Sequence, residues 1–233
     1  MTAPSRAAVI AAPARVAEVT TETELDDGGE LLPLHLAPEP PAVSIQLRTT
    51  LHRVGVGVGL ARKPEVLEAV RAIPGLPGLV TSPSGGTFIM GGPGWLGISA
   101  VGAHHPGQAL PLDWMMASLL PWFTAVLGPL GLMPRVGCID GAWCKGFSDI
   151  AVGGRKLVGL GFRVTRGLVV MRGVMPVAAI DPDDFRVLAA CHDVIGVTIR
   201  ADAATSVAAE TGDATWTTAR MIDHAAAIVT PGG

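Results

Sequence analysis

The sequence predicts an α+β fold with a single mixed, mostly antiparallel sheet and helices on its flanks. Runs with strand-like alternation follow one another along the chain, and helical segments interrupt them without strict alternation of strand and helix. The 30 glycines and 19 prolines among 233 residues separate many of these apolar runs and predict frequent turns. A hydrophobic content of 49% in a chain of this length is enough for one sizeable core.

Composition divides the chain into two segments. Residues 1–40 are rich in alanine, proline, threonine and acidic residues, which predicts a flexible or loosely ordered N-terminal segment. Residues 41–230 carry the strand and helix patterns, and we expect them to form one folded domain.

Charge, cysteine content and hydropathy exclude several classes of protein. A formal net charge of −3 gives no sign of a basic face, so we expect no nucleic-acid partner. Three cysteines, an odd number, favour reduced thiols in a cytoplasmic protein over a disulfide framework. The uncharged stretch 114–134 is long enough to cross a membrane, but Pro121 and Pro129 interrupt it. We expect a buried helix there and no membrane partner.

Two local patterns predict a helix and a hairpin in the second half of the chain. Asp181 stands where an N-cap would be, directly before a proline, and predicts a helix over residues 181–190. Residues 147–152 and 157–164 alternate as strands do, and the Gly153-Gly154 pair between them predicts the turn of a hairpin.

Cys144 and Lys156 are the candidate catalytic residues. The first strand and the turn of the predicted hairpin lie between them, and its second strand begins directly after Lys156. The chain has only three lysines, so a lysine beside a hairpin turn invites a chemical explanation. The thiolate is the nucleophilic form of cysteine, and a nearby ammonium stabilises it. On the residues alone, an equally good interpretation is that Cys144 is a small apolar residue in a turn.

Other potentially reactive residues are weaker candidates. Cys138 falls in a predicted strand and is expected in the core. The run Cys191-His192-Asp193 contains the residue types of a triad, but sequence neighbours rarely form one. Adjacent His104 and His105 would point to opposite faces of a strand, so we expect a loop there and no metal site.

Two motifs resemble a known superfamily. Ser84-Gly85-Gly86 follows a predicted strand, and the run from Ser148 through Lys156 to Gly159 has the pattern S-D-I-x-V-x-G-R-K-x-x-G. Together they resemble the biotin/lipoate protein ligase superfamily over roughly residues 40–200. The resemblance implies that residues 41–230 form a single catalytic domain with a class II synthetase-like fold.

Within that superfamily, the sequence is most similar to the octanoyl amidotransferases that work from the glycine cleavage H protein. Gly141-Ala142-Trp143-Cys144 and the distance from Cys144 to Lys156 match that branch position by position. ATP-dependent lipoate ligases usually carry arginines before S-G-G and a histidine in the following strand, where this chain has Ser82-Pro83 and Gly91. Octanoyl transferases that use acyl carrier protein place a cysteine near position 191 in a P-C-G context, which is absent here.

The resemblance implies an acyltransferase that moves octanoyl or lipoyl groups to a lysine of a lipoyl domain through a Cys144 thioester. Lys156 would contact the acyl carbonyl and help to keep Cys144 ionised. No metal or nucleotide is implied, and the implied partners are lipoyl-domain proteins, the glycine cleavage H protein or an acyl carrier. The substrate-binding residues that it implies are Ser84, Gly85, Gly86, Thr87, Asp149, Gly153, Gly154 and Gly159.

Two alternatives remain open at this point. An ATP-dependent lipoate–protein ligase would use ATP and Mg, with Lys156 at the nucleotide and Cys144 incidental. A non-catalytic homologue would bind acyl chains or partner domains without turnover. The run Leu160-Gly161-Phe162, where the family often has a small residue and glutamine, and the lack of any tyrosine favour this second alternative.

Overall fold

The computed structural model describes residues 21–22, 43–82, 85–103, 111–165 and 168–229. The strands within these ranges are β1 (Thr21–Glu22), β2 (Val43–Thr49), β3 (Arg53–Gly57), β4 (Leu79–Ser82), β5 (Phe88–Gly91), β6 (Trp95–Ala103), β7 (Arg135–Val136), β8 (Ile150–Val152), β9 (Arg155–Thr165) and β10 (Leu168–Pro176). The helices are α1 (Pro64–Arg71), α2 (Pro111–Leu127), α3 (Pro182–Asp193), α4 (Val207–Thr211) and α5 (Thr218–Val229), with 3-10 turns at Gly128–Leu130 and Ala201–Ala203.

The larger sheet has the strand order β1-β2-β6-β10-β9-β8-β7. Its edge pair β1–β2 is parallel, and the other neighbouring strands are antiparallel. The mostly antiparallel α+β architecture expected from the sequence is therefore confirmed. Apart from β1, residues 1–42 lie outside the described ranges, so the looseness of the N-terminal segment stays a prediction.

A second, three-stranded sheet has the order β4-β3-β5, which the sequence patterns did not separate from the first. Strand β3 pairs with β4 in parallel and with β5 in an antiparallel ladder. Because a short strand shows the same alternation in either sheet, the sequence predicts that strands exist but not which sheet they join.

Two hydrophobic clusters hold these layers together. One fills the space between the larger sheet and the helices α2 and α5, with Leu47, Ile98 and Met171 contributed by the strands. The other joins the small sheet to α1 and α3 and includes Trp95 and Trp143. The second cluster matters for function, because it fixes the small sheet and α3 beside the loop that contains Cys144.

Helix α2 confirms the buried helix predicted from the uncharged stretch. Met115, Leu119, Phe123 and Leu127 recur every four residues and are almost completely buried. Pro121 lies inside the helix at an exposed position, where its missing N–H is tolerated. Among the described residues, no helix is both long and apolar enough to cross a bilayer.

The predicted hairpin is present, but its first strand is shorter than expected. Gly153 and Gly154 form the turn, and the returning strand β9 runs over Arg155–Thr165, slightly longer than the predicted 157–164. Strand β8 begins only at Ile150, because the Asp149 carboxylate accepts a hydrogen bond from the Gly146 N–H and closes a turn there. The expectation of a strand from Phe147 onward was wrong, and the Phe147 side chain is 87% exposed.

Helix α3 begins as the sequence predicts. The Asp181 side chain accepts a hydrogen bond of 2.7 Å from the Asp183 N–H, and Pro182 occupies the first helical position. The helix runs to Asp193, three residues beyond the predicted end, and so carries Cys191 and His192 on its buried face. That extension places His192 next to the candidate site.

Candidate active site

Cys144 lies in the loop between β7 and β8 and is half-buried. Its backbone has φ of 42°, the left-handed region that side-chain-bearing residues rarely adopt. Its Sγ accepts a hydrogen bond of 3.2 Å from the backbone N–H of Thr87. This contact fixes the direction of the sulfur at the small sheet, where a nucleophile could meet a carbonyl carbon.

The turn before β5 is shaped to admit this sulfur. A Cβ at Gly86 would lie 2.6 Å from the Cys144 Sγ, and Gly86 has φ of 105°. On its other side the turn packs against β3, where a Cβ at Gly57 would lie 2.1 Å from the Gly86 carbonyl oxygen. The second glycine of the S-G-G motif is therefore required by close approach and by backbone conformation together.

Lys156 is completely buried and holds the Cys144 loop through its backbone. Its Nζ donates to the carbonyl oxygens of Trp143 at 2.7 Å and Cys144 at 2.8 Å. Its third partner is Asp149, whose Oδ2 lies 2.8 Å away, and both side chains of this ion pair are 0% exposed. These contacts use the three N–H donors of an ammonium group.

Asp149 is the counter-ion and also a backbone acceptor. In addition to Lys156, its carboxylate accepts hydrogen bonds from the N–H of Gly146 at 2.9 Å and of Leu160 at 3.3 Å. Burial raises the pKa of Asp149 above its ordinary value, against the opposing effects of Lys156 and of these two N–H groups. Asp149 thus links the Cys144 loop to β9.

Trp143 completes the packing around the lysine. The Lys156 Nζ lies 4.1 Å from the centre of the Trp143 ring, a cation–π contact in a desolvated place. A Cβ at Gly159 would lie 2.4 Å from the same ring, so glycine is needed for the indole to fit against β9. The residues around Cys144 are consequently fixed by contacts on several sides.

His192 is a site residue that the sequence argument gave little weight. Its Nδ1–H donates to the Leu188 carbonyl at 2.8 Å, which leaves Nε2 as an acceptor. Nε2 accepts from the Cys144 N–H at 3.1 Å and from the Thr87 hydroxyl at 3.0 Å. Burial lowers the pKa of His192, so the neutral ring that this arrangement needs is favoured.

A cleft of about 950 Å³, including open solvent, runs between the two sheets, and Cys144 lies in its wall. Glycines and apolar side chains form much of its lining. Small residues on both sheets leave room for a chain between them. Its lining includes Arg48, Arg53, Gly97, Cys144, Gly161 and Arg172.

The structure brings together some of the predicted substrate-binding residues but not all. Gly85, Thr87 and Gly159 line the cleft. Asp149 is buried beneath the loop, paired with Lys156. Gly153 and Gly154 form the exposed turn of the hairpin, where a Cβ at Gly153 would meet Glu210, and neither lines the cleft as described. Ser84 and the pair His104 and His105 lie outside the described residues.

The other two cysteines occupy different environments. Cys138 is half-buried and lies outside any strand, so the expectation of a core strand position was wrong, because β7 ends at Val136. Cys191 is buried in α3, and burial raises the pKa of its thiol to about 11. Lys145, the neighbour of Cys144, forms an exposed ion pair with Asp140, which raises the pKa of Lys145 and lowers that of Asp140.

Solved structures of other proteins are similar to this one, although neither a protein-family model nor a curated protein matches the sequence. LipL1 from P. falciparum, crystallised in complex with lipoate, is 11% identical with a TM-score of 0.56; the match covers 91% of this chain and 60% of LipL1. A bipartite lipoate protein ligase from Thermoplasma acidophilum, studied with its E2 lipoyl domain, is 13% identical with a TM-score of 0.47, covering 82% and 72%. Biotin protein ligase from Leishmania major, in complex with biotinyl-5-AMP, is 12% identical with a TM-score of 0.38, covering 81% and 64%.

The chain has the biotin/lipoate protein ligase fold.

In this example of the biotin/lipoate protein ligase fold, three residues near the cleft were not predicted from the sequence to belong to the site. His192 belongs to the run Cys191-His192-Asp193, and it reaches the site because α3 extends to Asp193. Arg48 and Arg172 belong to ordinary strand patterns, and no local signal marks them. Their presence in the cleft follows from strand register, which pairs Arg48 with Gly97 and Arg172 with Ser99 on β6.

Proposed function

We propose that the protein is an acyltransferase that carries an octanoyl or lipoyl group as a thioester on Cys144 and delivers it to a lysine of a lipoyl domain. The observation that carries this proposal is the position of the Cys144 Sγ, in the wall of the cleft and 3.2 Å from the Thr87 N–H. The biotin/lipoate protein ligase fold and the motif from Gly141 to Gly159 support the choice of acyl group and acceptor.

In the first step, the Cys144 sulfur attacks the carbonyl carbon of an acyl group on a donor protein. A new C–S bond forms, the bond to the donor's thiol or amine breaks, and the proton given up by Cys144 ends on that leaving group. The hydrogen bond from the Thr87 N–H holds the sulfur in place for attack. Donors of this kind are the glycine cleavage H protein or an acyl carrier.

In the second step, the amine of an acceptor lysine attacks the thioester. An amide bond forms as the C–S bond breaks, and the proton lost by the amine returns to the sulfur. An acyl chain packed against the apolar and glycine-rich part of the lining would shield the thioester from water and limit its hydrolysis. No metal or nucleotide takes part in either step.

The contacts of Lys156 favour this route over adenylation. A ligase that forms an acyl-adenylate would use this lysine to bind a phosphate or an acyl carboxylate. Here its ammonium is 0% exposed and donates to Trp143, Cys144 and Asp149. A direct contact with the acyl group would require one of these donors to be exchanged, so we assign Lys156 to positioning Cys144.

Intact-protein mass spectrometry tests the thioester. The protein is incubated with octanoyl-H protein or with octanoyl-acyl carrier protein, beside Cys144→Ala and the matched control Cys138→Ala. We expect a hydroxylamine-sensitive octanoyl adduct in the native protein and in Cys138→Ala, and none in Cys144→Ala. An adduct that persists without Cys144 contradicts the proposal. If neither donor gives an adduct, octanoate-dependent exchange of pyrophosphate into ATP would instead establish the ligase.

A further inference from the structure

Three arginines line the cleft that contains Cys144, namely Arg48, Arg53 and Arg172, and its described lining residues include no aspartate or glutamate. The remaining lining is mainly glycine and apolar side chains. A purely aliphatic acyl chain offers no polar contact to arginine side chains, and their desolvation by such a chain costs free energy.

Strand register places Arg48 and Arg172 on one face of the larger sheet. Arg48 on β2 lies opposite Gly97 of β6, and Arg172 on β10 lies opposite Ser99 of the same strand. Alternate residues of a strand share a face, so positions 97 and 99 point to the same side. Two guanidinium groups therefore approach the cleft from the strands on either side of β6.

Gly97 lets the Arg48 side chain lie across the central strand. A Cβ at position 97 would be 3.0 Å from the Arg48 Cγ and 3.2 Å from its Nε. The side chain thus covers β6 in the direction of β10, where Arg172 stands. On β9, the residue paired with Arg172 is Gly161, which also leaves the cleft open above the arginine.

The two arginines repel each other in a partly dehydrated place. Burial, and secondarily the charge of Arg48, lowers the pKa of Arg172 to about 10. Both side chains also interact with other groups of the chain. An anion bound between them would relieve this repulsion, and a carboxylate or phosphate matches the fork geometry of guanidinium groups.

We propose that Arg48 and Arg172 bind an anionic group of the substrate whose acyl carbonyl reaches Cys144. The placement of the acyl carbonyl at Cys144 rests on the proposed function, whereas the anion site rests on the arginine pair. The anion is a carboxylate at the far end of a dicarboxylic acyl chain or a phosphate of the donor. Either source presents two or three oxygens that two guanidinium groups can share.

Rates of Cys144 acylation distinguish the two sources. The donors are the N-acetylcysteamine thioesters of octanoic acid and of suberic acid (the latter with a free terminal carboxylate), and octanoyl-coenzyme A. We expect one anionic donor to react at least about tenfold faster than neutral octanoyl-N-acetylcysteamine, as one charge-assisted hydrogen bond would provide. The suberoyl donor identifies a distal carboxylate, and octanoyl-coenzyme A identifies a donor phosphate.

Arginine variants test whether the pair is responsible. In Arg172→Gln and in Arg48→Gln, the ratio of anionic to neutral rates is expected to fall toward one, and Arg172→Lys should retain part of it. Arg163→Gln, which removes an exposed arginine of β9 outside the cleft, is expected to keep the native ratio. A native ratio in both glutamine variants overturns the proposal.

A binding measurement separates this inference from the thioester route. Calorimetric titration compares hexanoate with hexanamide, which share a chain and differ in charge, on the native protein and on Arg172→Gln. Tighter binding of hexanoate that depends on Arg172 supports the anion site even if no donor acylates Cys144, in which case only the proposed function is wrong. Acylation by the neutral donor with no preference for charge in rate or binding overturns the anion site alone.

Discussion

At Lys156 the chain buries a cation completely, and its removal should be costly. Lys156→Met leaves the Asp149 carboxylate at 0% exposure with only two backbone N–H partners. We expect a loss of about 3–5 kcal/mol in the free energy of unfolding, the range for breaking a buried pair. Urea denaturation measures it, and the double variant Lys156→Met/Asp149→Asn should recover part of the loss. A loss below about 1 kcal/mol contradicts a buried ion pair.

The same variant should show a dependence on pH. Burial raises the pKa of Asp149, and without Lys156 that effect is opposed only by the backbone donors. A carboxyl group whose folded pKa is raised destabilises the fold as pH rises through that pKa. The loss in Lys156→Met is therefore expected to shrink as pH falls toward the ordinary value of 3.8.

Because His192 is buried, we expect the fold to lose stability in mild acid. Its folded pKa lies below the ordinary 6.5, chiefly through burial, so the unfolded chain takes up this proton more readily. The contribution is present above pH 6.5 and is lost as pH falls through the folded pKa, because a protonated Nε2 can no longer accept from Cys144 and Thr87.

Urea denaturation between about pH 7.5 and 5.5 measures this contribution. His192→Gln should flatten the acid slope, since glutamine does not titrate in this range. His224→Gln is the matched control: that ring contacts the Val126 carbonyl on α2, away from the cleft, and the native slope should persist. An unchanged slope in His192→Gln would assign the acid sensitivity to other groups.

Among the elements, the turn before β5 should tolerate little change. Gly86→Ala would place a methyl group 2.6 Å from the Cys144 Sγ in a backbone with φ of 105°. We expect acylation of Cys144 to slow by roughly 10²-fold, the effect of displacing a reacting group by about 1 Å. Gly59→Ala, with no atom within 4 Å of the new methyl group, is the control and should react at the native rate.

Local patterns predicted the elements that are defined by contiguous residues. The hairpin turn at Gly153-Gly154, the N-cap at Asp181 and the buried face of α2 each depend on side chains within a few positions, and the structure confirms them. The short β8 was missed because Asp149 turns inward to Lys156 and Gly146, which is a tertiary effect.

The candidate site was predictable only in part, for the same reason. Cys144 and Lys156 belong to one motif, so the sequence alone indicates that they act together. The contact of His192 with Cys144 joins positions 48 residues apart, and the Thr87 contact with the sulfur joins positions 57 apart. Neither follows from periodicity, because each needs α3 and the small sheet to pack beside the loop.

On the scale of the whole molecule, the cleft between the two sheets should accept a hydrocarbon chain attached to Cys144. Octyl methanethiosulfonate would place such a chain on the thiol without any enzymatic step. Burial stabilises by about 0.8 kcal/mol per methylene, so we expect a higher unfolding temperature than for the methyl reagent. Calorimetry measures the difference, which should vanish in Cys144→Ala. A lower unfolding temperature for the octyl adduct would mean that the chain cannot enter the cleft.

A cysteine in the left-handed backbone conformation at position 144 lowers the stability of the fold but supplies a thiol. A side-chain-bearing residue at φ of 42° costs about 1–2 kcal/mol relative to glycine in that conformation. Under selection for heat resistance alone, Cys144→Gly should therefore be enriched, and under selection for acyl transfer it should disappear. On the proposed function, lineages that keep the acyl transfer would keep cysteine at this position, and lineages that lose it would be free to replace the residue with glycine.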